Sequence, residues 1–331
     1  MPDLYRSLVR PGLFRFDPET AHRLARPLLG SGPGSRLLGG GRSSDPRLAT
    51  RLGDLRLDNP VGLAPGFDKH AQMVAGLSQL GFGYLTLGTV LPDRRRGNPR
   101  PRIMRRPHER AMVNSMGLPS HGLEPFARRL ERLRAGGSAH APIIASIGAL
   151  DEDGYLRVLC RVQPLVDAVE INLRCNNNVD ETGDFLNPDV FERLLRRVMA
   201  EHRVPVHVKV TEWNDEAEHR DRLEIVERSL ALGVEAFATS SVYRADDPGL
   251  AMGRGNLTGA PLLERTIATV RELRGIVGDR AAIRARGGIS SAADARRALD
   301  AGATTVELFT AFIYEGWRVA RRINEGLLIA R

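Results

Sequence analysis

Lysine is nearly missing from this chain: of 48 basic residues only Lys69 and Lys209 are lysine, against 46 arginines. A guanidinium is planar, bulkier than an ammonium and never deprotonates, so arginine does not replace lysine where a compact donor is required. Both survivors are therefore site candidates before any motif is considered. Cysteine is as scarce. Cys160 and Cys175 make neither a disulfide framework nor a zinc-ligand cluster, which suits a reducing cytoplasm and predicts no metal centre. Cys160 reads as helix core. No run approaches the roughly 18 uninterrupted apolar residues of a spanning helix, and the N-terminus lacks the apolar stretch of a secretory signal. Aromatic residues are only 5%, and acids are interspersed among the bases despite a net charge of +8, so no nucleic-acid surface is expected. Anionic ligands or lipid head groups suit the excess charge better.

What is present is a chain of 331 residues with 42% apolar side chains, enough for a large core. Beyond about residue 55, short β-rich apolar runs alternate with longer amphipathic stretches, the pattern of repeated βα units. The predicted strands are Val61 to Ala64, Tyr84 to Thr89, Ile143 to Ile147, Ala168 to Leu173, Val206 to Val210, Ala236 to Thr239, Ala282 to Ala285 and Thr305 to Phe309. Helical patterns include Ala71 to Leu80, Pro188 to Glu201, Pro261 to Ile276, Ala292 to Leu299 and Ala311 to Glu325. Eight pairs predict an α/β fold, a closed (β/α)8 TIM barrel over residues 46–331, with its site at the C-terminal ends of the strands.

Residues 1–45 stand apart as a two-helix extension. Asp17-Pro18-Glu19-Thr20 reads as an N-cap followed by proline at the first helical position, with Ala21, Leu24, Ala25 and Leu28 on one face. The preceding segment interleaves Leu4, Leu8, Leu13, Phe14 and Phe16 with Arg6, Arg10 and Arg15, and Gly30 to Ser44 reads as a flexible connector. Arginine alternating with apolar residues suits a membrane-surface anchor, and equally a helix pair packed on the barrel.

The unusual residues cluster where strands stop. Lys69 follows the first strand and Thr89 ends the second. Asn172, Arg174 and Cys175 follow the fourth, Lys209 ends the fifth, and Thr239-Ser240-Ser241 end the sixth. Gly287-Gly288 follow the seventh and Thr310 the eighth. A glycine pair lets the backbone approach an anion closely, and loops after strands seven and eight commonly hold phosphate in this fold, so a phosphate-bearing ligand is expected there.

Several segments together identify a family. Asn59 to Lys69, Gly88-Thr89-Val90, Gly97 to Arg102, Asn114 to Gly117, Asn172 to Cys175, Val208-Lys209-Val210, Leu257 to Leu262 and Gly287-Gly288-Ile289 resemble dihydroorotate dehydrogenase, in order along essentially the whole chain. The leader, through Asp17-Pro18-Glu19 and Ala21-His22, is similar to the N-terminal extension of the membrane-associated, quinone-using class. The resemblance implies FMN, a quinone acceptor and oxidation of (S)-dihydroorotate to orotate in pyrimidine biosynthesis. It also implies a cytoplasmic protein held peripherally at the inner face of the cell membrane. Cys175 falls at the position of the catalytic base, where the quinone-using class usually carries serine and the soluble class cysteine. A thiol titrates near pH 8.5 and is chemically adequate, with Arg174 adjacent to favour thiolate. Lys69 is implied beside the substrate carboxylate and the flavin, and Lys209 at the flavin pyrimidine edge. Asn114, Asn172, Asn177, Ser240 and Ser241 are implied around the substrate ring. Ala64, Gly66, Thr89, Ser146, Asn172, Lys209, Thr239, Gly259, Gly287, Gly288 and Thr310 are implied around the cofactor.

The chain departs from the family pattern at Arg174, Asn176, Asn178, Ser146, Ser240, Arg286 and Thr310-Ala311. Ser240 stands where a second substrate-gripping amide is usual. These changes support a second reading, a diverged flavoenzyme of specialised metabolism acting on a different small cyclic or carboxylated substrate.

Overall fold

The computed structural model describes residues 3–39, 41, 43–137, 140–173, 185–213, 215–240 and 243–329. The strands β1 (Val61–Leu63), β2 (Tyr84–Val90), β3 (Ile143–Ile147), β4 (Ala168–Ile171), β5 (Val206–Thr211), β6 (Ala236–Ser240), β7 (Ala282–Arg286) and β8 (Thr305–Leu308) run in parallel order and close into a barrel. Closure is made by β8 against β1, with Val306 opposite Val61. An antiparallel hairpin, Thr50–Leu52 with Leu55–Leu57, seals one end: Leu52 and Leu57 pack with Tyr84, Ile144, Ala168, Ala236 and Ala282, at or near the starts of their strands. The opposite end is thereby left for chemistry.

Excursions after β2 and β6 meet in an antiparallel sheet that periodicity did not reveal. Its strands are Tyr243–Asp246, Arg254–Gly259, Ala111–Asn114 and Ile103–Arg106, in that spatial order, with Asn256 opposite Asn114.

Helices differ from the sequence pattern where a specific side chain or glycine intervenes. The expected helix over Ala71 to Leu80 shrinks to Val74–Leu77. The buried Asp68 carboxylate accepts from the backbone N–H groups of His70, Gln72 and Met73, holding this segment as a turn. The last helix is broken into Thr310–Glu315 and Val319–Ile329 at Gly316, whose φ of +82° turns the chain away. The expected connector over Gly30 to Ser44 contains a helix, Gly32–Leu37, because the Ser31 hydroxyl caps the Gly34 N–H and Pro33 sits in the first turn. Cys160 is exposed, not core: Glu152–Val162 turns Tyr155, Val158, Leu159 and Val162 inward and leaves Cys160 on the other face.

The leader lies against the barrel. Helix Pro18–Gly30 is capped by Asp17, which accepts from Glu19 and Thr20 N–H. Its end approaches Val74–Leu77 so closely that a Cβ on Gly76 would lie 2.1 Å from the Leu29 carbonyl oxygen. Tyr5 donates its hydroxyl hydrogen to the Ile313 carbonyl at 2.5 Å and meets the Trp317 ring edge-on. Among the described residues no helix is long and apolar enough to cross a membrane.

Candidate active site

Among the described residues a cavity of about 1070 Å³ opens over the strand ends and continues under the leader. Parallel strands point alternate side chains inward, and this brings Thr89 of β2, Ser146 of β3, Asn172 just past β4 and Lys209 of β5 into one hydrogen-bonded chain. Lys209 Nζ donates to Asn172 Oδ1 at 3.2 Å, Asn172 Nδ2 donates to Thr89 Oγ1 at 2.7 Å, and Thr89 Oγ1 lies 3.2 Å from Ser146 Oγ. Lys69 reaches the same cavity from the loop after β1, its Nζ donating to the Gly66 carbonyl at 2.7 Å. A Cβ on Gly66 would stand 3.3 Å from the Phe309 ring and 3.5 Å from Lys69 Nζ, filling space that the glycine leaves to a ligand.

The far side is lined largely by glycine backbone. Gly287 and Gly288 both have positive φ, +131° and +75°, and a Cβ on Gly288 would meet the Leu263 backbone nitrogen at 2.3 Å. With Gly259 and Thr310 they border the cavity, and Thr310 Oγ1 donates to Thr258 Oγ1 at 3.1 Å. Thr239 stands one layer back, its Oγ1 accepting from the Arg286 N–H at 2.8 Å. Such a glycine-lined wall admits a phosphate to close approach. Two ammonium groups, a run of neutral hydrogen-bonding side chains and this wall suit a phosphate-bearing planar cofactor.

Asn114 enters from the antiparallel sheet, where its Nδ2 donates to the Asn256 carbonyl at 3.3 Å, and Ser240 borders the cavity from the end of β6. Cys175, Asn177 and Ser241, like Arg174, lie outside the described residues. Ala64 borders the cavity as expected.

The leader's side of the cavity is formed by residues that the sequence marked only as an extension, together with Arg100, Arg102 and Arg105, to which it assigned no role. His22 Nε2 donates to the Phe67 carbonyl at 2.9 Å, and burial holds its imidazole below the usual range. Glu19 accepts from Arg102 at 2.7 Å and pairs with Arg100 at 2.8 Å. Burial pushes the Glu19 carboxyl up, but the two arginines outweigh it and hold it low. Arg105 donates to the Phe16 carbonyl at 2.8 Å with its guanidinium 4.5 Å from the Phe14 ring centre. Leu24 and Leu28 border the cavity yet remain 53% and 40% exposed, so the apolar face of this helix meets both the cavity and the exterior.

Fold and site together define a (β/α)8-barrel oxidoreductase. The model of the family "Dihydroorotate dehydrogenase" matches residues 47–329. Among curated relatives, the "Dihydroorotate dehydrogenase (quinone)" of Clavibacter sepedonicus is 38% identical, covering 98% of this chain and 98% of its own. That of Stutzerimonas stutzeri is 34% identical over 98% of each chain. Among solved structures, DHODH from Eimeria tenella in complex with ferulenol superposes with a TM-score of 0.84 at 27% identity, covering 97% of this chain and 94% of that one. The chain belongs to the dihydroorotate dehydrogenase family, oxidoreductases that act on a CH–CH bond and use a flavin.

Proposed function

We propose that this protein oxidises (S)-dihydroorotate to orotate with FMN as its flavin and a membrane quinone as acceptor. The observation that carries the reading is one cavity joining the Lys209–Asn172–Thr89 chain to the apolar leader, in a chain whose relatives of matching length are named for quinone. When bound, FMN would supply the redox chemistry, acceptance of the hydride that leaves the carboxylate-bearing ring carbon. Lys69 holds the substrate carboxylate, and Cys175 as thiolate takes the proton from the neighbouring carbon. Asn114, Asn172, Asn177, Ser240 and Ser241 grip the ring's donor and acceptor edge, which amides and hydroxyls complement. Lys209 donates to the pyrimidine edge of the cofactor as a compact cation. Gly259, Gly287, Gly288 and Thr310 take its phosphate, while Ala64, Gly66, Thr89, Ser146 and Thr239 shape the bed for its ring.

Residues 1–45 serve as the quinone entry and membrane contact, and residues 46–331 as the FMN-binding barrel. The arginine-rich leader with exposed Leu4, Leu8, Leu24 and Leu28 supports a peripheral seat on the inner face of the cell membrane. The test is an anaerobic visible spectrum of the purified protein before and after dihydroorotate. A flavin band that bleaches bears the reading out. A band that persists, while another cyclic carboxylate bleaches it, transfers the activity to that substrate.

A further inference from the structure

The interior of this barrel is charged where the architecture ordinarily carries branched aliphatic side chains. Inward positions alternate along a strand, so Glu170 lies one step below Asn172, His207 below Lys209 and Arg284 below Arg286. Arg284 and Glu170 have no exposed surface and Glu307 is 2% exposed. Arg284 donates from Nη1 to Glu170 Oε2 at 2.9 Å and from Nη2 to Glu307. Arg286 donates from Nη2 to Glu170 Oε2 at 2.7 Å and from Nε to Glu307. Two arginines and two glutamates therefore alternate in a closed ring whose formal charge is zero. His207 adds none, because burial and the neighbouring Arg284 push its imidazole down to about 3.

The upper rim of this ring is a wall of the cofactor cavity, which Arg286, Glu307 and Lys209 all border. Burial opposes ionisation of Glu170, but the charges of Arg286 and Arg284, with Lys209 beyond them, hold its carboxyl well below the usual range. Stability gives little reason for such a ring, since a buried ion pair commonly costs as much in desolvation as it returns. A fixed charge buried among protein atoms at the edge of a cavity is poorly screened, and acts strongly on any ligand there that changes charge.

We propose that the Glu170–Arg284–Glu307–Arg286 ring is the electrostatic floor of the cofactor site and sets the reduction potential of the bound flavin. The proposal rests on the flavin reading above. Glu170, Glu307 and Arg286 are positioning residues, acting through the field at the cavity floor and on the Lys209 ammonium rather than on the reacting atoms. Reduction adds negative charge to the cofactor, so an uncompensated positive charge beneath it raises the potential and an uncompensated negative charge lowers it.

The experiment is a dye-equilibrated potential measurement on flavin-loaded wild type and on Glu170→Gln, Glu307→Gln, Arg286→Gln and the Glu170→Gln/Arg286→Gln pair. Each glutamate variant should raise the potential and Arg286→Gln should lower it, by about tenfold or more in the reduction equilibrium, which is about 30 mV for a two-electron couple. The paired variant should return close to wild type. Potentials that stay put, or that all move the same way, overturn the proposal, because a merely structural ring lowers thermal stability without this sign pattern. A wild type that takes up no flavin overturns the underlying reading and the proposal with it. Where the variants do not fold, the infrared difference spectrum of wild type on flavin reduction decides: shifted carboxylate and guanidinium bands are expected, and a spectrum without them overturns the assignment.

Discussion

Lys209 donates to Asn172, its neighbour past the end of the adjacent strand β4, at 3.2 Å, and the same amide passes a hydrogen bond on to Thr89. One side chain thus ties an ammonium on β5 to a hydroxyl on β2, and the three are positioned as a unit.

Replacing Lys209 by methionine keeps most of its volume and removes its donors. A hydrogen bond to a charged group contributes about 1.5–3 kcal/mol, so FMN affinity should fall roughly 10- to 100-fold. Titration of the stripped protein with FMN, followed by quenching of flavin fluorescence, checks this. Unaltered affinity would remove Lys209 from the cofactor contacts.

Cys175→Ala tests the proposed base. The protein should purify yellow, while anaerobic reduction by dihydroorotate slows by at least about 100-fold in a stopped-flow trace. Near-normal reduction would assign the proton transfer to another group.

Glu19 ties the leader to Arg102 and Arg100, and its pH behaviour has a definite sign. Burial alone would raise its pKa, yet the arginines bring the folded value below the ordinary 4.5. A depressed carboxylate contributes stability above its unfolded pKa and loses it as pH falls through the folded value. Protease cleavage within residues 1–45 should therefore accelerate below about pH 4.5 in wild type. In Glu19→Gln, cleavage should be faster at neutral pH and lose that acid-dependent increment.

Leu24 and Leu28 are exposed enough that replacement should leave folding within about 0.5 kcal/mol. The Leu24→Glu/Leu28→Glu variant should keep its melting temperature and its reduction by dihydroorotate, yet sediment less with lipid vesicles and show a higher KM for a long-chain quinone. Vesicle binding equal to wild type would move the membrane contact elsewhere.

The barrel was legible because each strand is a short apolar run between polar stretches, and all eight fall within a few residues of their expected bounds. The antiparallel sheet was not, for a physical reason. Ile103–Arg106 is only partly buried and carries Arg105 and Arg106 on opposite faces, while Tyr243–Asp246 is mostly exposed and alternates over only four residues, so neither an apolar run nor a sustained alternation marks them. The scarcity of lysine pointed to Lys69 and Lys209, and the structure sets both on one cavity. The charged floor was written in the same strands, as Arg284 and Arg286 two apart and Glu170 two before Asn172. Motif reading stopped at strand ends and passed over the inward positions beneath them. The ties from Glu19, His22 and Tyr5 to the barrel span gaps of tens to hundreds of residues, and no local pattern encodes them.

Those long ties also order events during synthesis. Tyr5 reaches its carbonyl partner 308 residues later in the chain, and Arg322 is the ion-pair partner of Asp3. The stretch around Asp3 and Tyr5 is thus seated only once the final helices have emerged, whereas helix Pro18–Gly30 meets Phe67, Val74–Leu77 and Arg102 far sooner. Until then the stretch that carries the exposed Leu4 and Leu8 is without that seat, and its leucines are free to meet whatever apolar surface is nearest.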